Sequence, residues 1–170
     1  AAAIIHHNGT PVFADIDRRT FNIDPEDVRR KITERTKAIM PVHINGLCCD
    51  MDPILKLAEE HNLLVIEDSA QTFLGRDDKE RIAGTIGHCG SFSFEQTKHM
   101  TTGDGGLLVT NDPDLARRLR QVGEHGARCV SPESSVWQGP LIHDYIGWNY
   151  RFPELCAAVG LAQLERLDEF

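Results

Sequence analysis

The stretch KAIMPVHINGLCCDMDPILKLAEEHNLLVIED, residues 37–68, sets two short apolar runs on either side of a helical pattern. KAIMPVH (37–43) and LLVIED (63–68) have the length and apolar density of buried strands. Between them Pro53–Asn62 spaces its apolar residues as a helix does. Asp52 before Pro53 forms the expected pair of N-cap and first-turn proline. Strand, helix, strand in that order implies a right-handed crossover between parallel strands.

The same alternation continues outward in both directions. Toward the N-terminus, PVFADI (11–16) predicts a strand and Pro25–Thr33 a helix with Asp24 as its cap. Toward the C-terminus, SFSF (91–94) and GLLVT (106–110) predict strands joined by only a short turn. Asp112-Pro113 opens a helix over DLARRLRQVGEH, and Pro153 opens another over ELCAAVGLAQLERL. The class expected is α/β, a mainly parallel sheet with helices on both faces. Arg128–Asp144 mixes Ser, Pro and Gly with Trp137 and shows neither period, which predicts a long loop. The chain begins inside what reads as the end of an apolar helix and finishes on a helix whose apolar face nothing covers. A partial domain spanning residues 1–170 is therefore expected.

Composition narrows the function. Of 170 residues 41% are hydrophobic, enough for one sizeable core. With 18 basic residues against 26 acidic ones the formal charge is −8, which disfavours nucleic acid and anionic membrane as partners and favours small-molecule chemistry. No run of about 20 apolar residues occurs, and AAAIIHHNGT lacks the basic start and cleavage site of a signal peptide. A cytoplasmic protein is expected. Five scattered cysteines without a CxxC spacing predict reduced thiols and no metal site.

In open α/β sheets, ligands bind beyond the carboxyl ends of the strands. Two strands deliver polar residues there. LLVIED ends on Asp68, followed by Ser69, Ala70 and Gln71; SFSF runs into Glu95, Gln96, Thr97 and Lys98, then TTGDGG. Singly, each has a plainer reading: Asp68 as a helix cap, Lys98 as a surface charge, TTGDGG as a hairpin turn. Neither a Walker loop nor GxGxxG is present. Together, a carboxylate and a lysine at the ends of strands in one sheet can converge on one ligand. Pyridoxal phosphate chemistry needs such a pair, the lysine to bond the aldehyde and the carboxylate to keep the pyridine nitrogen protonated.

The runs TKAIMPVHINGLCCDMDPI, VIEDSAQTFLG, GSFSFEQTKHMTTGDGGLLVTND and GWNYRFPELCAAVGLAQLERLD resemble the DegT/DnrJ/EryC1/StrS sugar aminotransferases, which are fold-type-I pyridoxal-phosphate enzymes. The resemblance implies that the chain is the central part of that family's large domain. It implies Lys98 as the Schiff-base lysine and proton carrier, Asp68 at the pyridine nitrogen, Gln71 at the ring hydroxyl and Ser93 at the phosphate. Asn149 would reach the phosphate of a neighbouring subunit, so a homodimer with shared sites is implied. The cofactor would be pyridoxal 5'-phosphate, and the reaction a ping-pong transfer from glutamate or glutamine to a keto-sugar, nucleotide-linked, or a keto-cyclitol. A lysine at 98 disfavours the family's dehydratase branch, which carries histidine there. Glu95, Gln96 and His99 depart from the usual pattern and leave the acceptor open.

The resemblance also puts a glycine-threonine phosphate loop and a ring-stacking aromatic before residue 1, and a small domain after residue 170. The chain alone is expected to be inactive. The second reading is a non-catalytic relative acting as a regulatory or interaction module. His43 is expected to be structural and hydrogen-bonded, and Tyr150 and Arg151 to support the turn at Asn149.

Overall fold

The computed structural model describes residues 1–128 and 142–169. Helices α1 (Ala2–His6), α2 (Pro25–Lys31), α3 (Met51–His61), α4 (Pro113–Gly123) and α5 (Glu154–Leu164) and strands β1 (Ala38–Ile39), β2 (Leu64–Asp68), β3 (Cys89–Ser93) and β4 (Gly106–Val109) follow in the order α1-α2-β1-α3-β2-β3-β4-α4-α5. The strands form one sheet in the order β1-β2-β3-β4. The first three run parallel and β4 returns antiparallel to β3, across a connection, residues 94–105, that is longer than the short turn expected.

Strand β1 is shorter than KAIMPVH suggested. Pro41 has no N–H to give to the ladder, and the pairing resumes beyond it as a single bridge from Val42 to Asp68. Residues 11–16, expected as a strand, make only an isolated bridge between Ile16 and Ile23. That segment folds back on α2: the Asp15 N–H donates to the Asp27 carboxylate (2.6 Å), and the Asp24 N–H donates to the Asp15 carbonyl. The backbone N–H and carbonyl of Asp15 are thereby taken locally, and Val12 and Phe13 stay exposed. Helix α2 ends at Lys31, two residues earlier than expected.

Helix α3 begins at Met51, so Asp50 occupies the cap position assigned to Asp52, and its side chain makes no capping bond. Asp52 pairs instead with Lys79 and Arg81. Asp24 and Asp112 do cap their helices, accepting from Glu26 N–H and from Asp114 and Leu115 N–H respectively. Asn62 closes α3 in the left-handed conformation that asparagine tolerates. The predicted loop over 128–144 falls largely outside the described residues. Among these, no helix is long and apolar enough to cross a membrane.

The core lies between α2, α3 and one face of the sheet. Ile54 and Leu57 of α3 and Val65 of β2 are fully buried against Val28, Ile39, Met51 and Leu63. Fully burying one such side chain stabilises by about 1.5–3 kcal/mol. Val65 and Glu67 point toward this side, while alternation sends Leu64, Ile66 and Asp68 to the other. Asp68 lies opposite Ser91 in register, so Asp68, Ser91 and Ser93 share that second face.

Candidate functional site

Past β3 the chain is held by main-chain bonds. Phe94 N–H donates to Gly105 O, Thr102 N–H donates to Phe94 O and Lys98 N–H donates to Glu95 O. The segment 95–100 is thus a compact loop at the carboxyl end of β3. Gly103 and Gly105 turn the chain into β4 with positive φ values of 84° and 138°. At Gly105 an added Cβ would fall 2.3 Å from the Phe152 ring, so glycine is also needed there for close approach. Phe152 lies edge-on to Phe94, which with Phe92 brackets Phe73 in the same manner. These rings tie the segment before α5 to the end of β3.

A cavity of about 430 Å³ opens at this edge of the sheet, lined by Asn45, Gln71, Thr97, Lys98 and His99. Its size lies within the roughly 300–1,000 Å³ typical of small-molecule sites. Gln71 and Lys98, which arrive from the ends of different strands, therefore meet at one cavity. Lys98 Nζ makes no hydrogen bond or salt bridge among the described residues, although its charge acts on Glu95. Thr97 hydrogen-bonds the Glu95 carboxylate through its hydroxyl and its N–H, and with Lys98 nearby this holds Glu95 below the usual carboxylate range.

Asp68 ends β2 with Oδ1 accepting the Ala70 N–H at 3.1 Å, and no hydrogen bond reaches Oδ2 among the described residues. Ser93 Oγ accepts the Glu95 N–H. Both sit on the sheet face described above but do not line the cavity. Asn149 is exposed and bridges to Glu124, its Oδ1 accepting from Arg151 Nε. It too lies outside the cavity lining. Trp148 and Tyr150 stack beside it and are largely exposed.

The cavity lining also includes a residue that motif reasoning passed over, Asn45. Asn45 (φ 53°) and Gly46 (φ 84°) form a turn after β1, whose sequence signal was the Asn-Gly pair. Asn45 N–H donates to Gln71 Oε1. Behind the turn lies a buried network. Glu67 accepts from His43 Nε2 (2.9 Å) and from the N–H groups of Gly84, Ile86 and Gly87. His43 Nδ1 accepts the Cys49 N–H, which fixes the hydrogen on Nε2, facing Glu67. Burial alone would raise the Glu67 carboxyl, but His43 and the three amides hold it below the ordinary range. His43 is thus a structural, hydrogen-bonded residue.

The residues fit pyridoxal 5'-phosphate. Among the described residues, an amine without an ion pair and an amide stand at one cavity, and a carboxylate with one oxygen unclaimed ends the neighbouring strand.

The model of the DegT/DnrJ/EryC1/StrS aminotransferase family matches residues 1–170. The GDP-perosamine synthase of Caulobacter vibrioides is 46% identical over 169 residues, covering 99% of this chain and 43% of that protein. A putative L-glutamine:3-amino-2,3-dideoxy-scyllo-inosose aminotransferase from Streptoalloteichus tenebrarius is 41% identical, covering 99% of this chain and 39% of its own. Among solved structures, an aminotransferase from Psychrobacter cryohalolentis superposes with a TM-score of 0.90 at 41% identity, over 99% of this chain and 43% of that one. The chain spans well under half the length of these relatives. It belongs to the DegT/DnrJ/EryC1/StrS aminotransferase family.

Proposed function

We propose that the protein carrying this chain is a pyridoxal-phosphate-dependent aminotransferase that moves an amino group from glutamate or glutamine to a keto-sugar, nucleotide-linked, or a keto-cyclitol. The observation that carries this reading is the meeting of Lys98 and Gln71 at one cavity, beside a sheet face that bears Asp68 and Ser93. The names of the relatives, one acting in perosamine synthesis and one on an amino-inosose, support both acceptor classes.

When bound, pyridoxal phosphate supplies an electrophilic aldehyde and an electron-withdrawing ring. Lys98 Nζ would be the amine that bonds the cofactor's aldehyde, and the same group would serve as the base that moves a proton at the substrate carbon. Asp68 Oδ2 would hold the proton on the ring nitrogen. Gln71 would hold the ring hydroxyl, and Ser93 Oγ would donate to the phosphate. Asn149 would serve the phosphate of a second subunit, which would make the working unit a homodimer, with residues 1–170 part of its cofactor-binding large domain. That Asn149 is exposed and outside this chain's own cavity supports the assignment.

The test is borohydride reduction of the full-length protein with pyridoxal phosphate, followed by peptide mapping. A stable pyridoxyl label on Lys98 is expected, absent in K98A. Label elsewhere, or none, overturns the reading. A panel of keto-sugars and keto-cyclitols with glutamate and glutamine then identifies the pair.

A further inference from the structure

The side-chain amide of Gln71 has a defined polarity. Asn45 N–H lies 3.1 Å from Oε1, and only the oxygen of an amide can accept from an N–H. The Nε2 end of Gln71, with its two hydrogens, is left for the cavity. The sequence position of Gln71 does not set this orientation; the turn that brings Asn45 to it does.

That turn is clamped from behind. Asn22, 3% exposed, accepts the Ile44 N–H on Oδ1 (3.0 Å) and donates from Nδ2 to the carbonyls of Leu47 and Cys48 (both 3.1 Å). His43, fully buried, takes the Cys49 N–H on Nδ1 while Nε2 is anchored on Glu67. The Thr72 hydroxyl donates to His43 O at 2.8 Å, tying the residue after Gln71 to the same turn. Both ends of the 43–49 turn are therefore fixed by buried side chains that never reach the cavity. Asn45 at its tip is held in a left-handed conformation from which its N–H points at Gln71.

We infer that Asn22 and the His43–Glu67 pair are positioning residues, which hold the 43–49 turn so that Asn45 takes the oxygen of Gln71 and the amide presents N–H donors to the ligand. Such a wall favours an acceptor oxygen in that corner, a deprotonated hydroxyl above a protonated one. This rests on the functional reading above in one respect: the oxygen concerned is the ring hydroxyl of the cofactor. The titratable groups around the wall are Lys98 and His99, which line it, with Glu95 beside Lys98 and Asp68 at the end of β2. Substituting Asn22 alters none of them.

Two variants of the full-length protein decide the matter. Gln71 is exposed, so Q71A tests the link without disturbing the core. Amide hydrogen exchange at Asn45 in the cofactor-free protein is expected to quicken by tenfold or so in Q71A, as one hydrogen bond is lost. With cofactor bound, the pH midpoint of the absorbance change that reports the ring hydroxyl is expected to rise by about 0.5–1 unit, because donors that stabilise the anion have gone. N22A, in which every cavity-lining side chain is intact, is expected to move both readouts in the same directions. If Gln71 instead presented its oxygen, Q71A would lower the midpoint, which overturns the orientation. Unchanged exchange at Asn45 in Q71A overturns the link, and an unmoved midpoint with unchanged exchange in folded N22A overturns the positioning role. If N22A does not fold, H43N, which retains an acceptor for Cys49 N–H but loses the anchor on Glu67, takes its place under the same criteria. Should Lys98 take no pyridoxyl label, the functional reading fails, while the exchange measurements on cofactor-free protein still decide the orientation.

Discussion

Glu67 offers the sharpest test of how this fold is held. Its side chain is 0% exposed and accepts four hydrogen bonds: Oε2 from His43 Nε2 and Gly84 N–H, Oε1 from Ile86 and Gly87 N–H. All four partners are donors, and none can reverse. Three are backbone amides, and the fourth is fixed as a donor because Cys49 N–H occupies His43 Nδ1. Substituting Glu67→Gln preserves volume but converts one oxygen into an NH₂. Whichever way the amide turns, two donors meet a donor. At about 1–3 kcal/mol for each buried unsatisfied group, E67Q is expected to cost roughly 2–6 kcal/mol, a large part of a total stability of about 5–15 kcal/mol. The assay is urea unfolding of the full-length protein, with amide exchange at Gly84, Ile86 and Gly87 as the local readout. The pH dependence follows in sign. A carboxyl depressed in the folded state contributes stability that is complete above its unfolded value, about 4.3, and is lost as pH falls through the folded one. The gap between wild type and E67Q is therefore expected to narrow in acid. A cost below about 1 kcal/mol at neutral pH, with the three amides still protected, would refute the reasoning.

Other expectations concern glycines, caps and thiols. A Cβ on Gly90 would lie 1.9 Å from the Gly84 carbonyl oxygen, so G90A is expected to lose more than about 3 kcal/mol; G103A, at φ 84° with open space around it, is expected to cost only the left-handed strain of about 1–2 kcal/mol. Urea midpoints of the two variants check the contrast. D112A is expected to lose about 1 kcal/mol as two capping bonds disappear, and D50A, which makes none, under about 0.5 kcal/mol by the same measurement. Burial pushes the Cys49 thiol up to about 12, so its alkylation by iodoacetamide at pH 8 is expected to run on the order of a thousandfold below that of a free thiol until the protein is denatured. Fast native labelling of Cys49, located by mass spectrometry, contradicts this.

What the sequence made legible was periodic or punctuated. The βαβ unit over 37–68 shows in its apolar spacing, and the caps at Asp24 and Asp112 show because an Asp-Pro pair has a local mechanism. The same signal misplaced the start of α3. Asp50 and Asp52 both stand ahead of the helical run, Asp52 with Pro53 behind it, and Asp52 is the one paired with Lys79 and Arg81, which are distant in sequence. Residues 11–16 carry strand propensity, but a strand needs a partner, and the backbone of Asp15 is taken by Asp27 and Asp24. At the candidate site Gln71 and Lys98 were reachable through motif order, whereas Asn45 and Asn22 were not. Their contribution is made by a backbone amide and a buried clamp, and neither leaves a residue-type signature beyond an Asn-Gly turn.

Strand β2 ends in two adjacent carboxylates, and the pleat sends them to opposite faces. Glu67 points into the side covered by α3 and meets four donors that leave it no capacity for a ligand. Asp68 points to the other face with one oxygen unclaimed among the described residues. A one-residue slip of the register would exchange them, placing a carboxylate without donors in the core and a saturating network at the ligand edge. The four donors around Glu67 are thus also a lock on register: they make the correct alignment the only one in which a charge at this depth is satisfied. The same alignment fixes Asp68 beside Ser91 and Ser93. The carboxylate least able to take part in chemistry is the one that determines where its neighbour points.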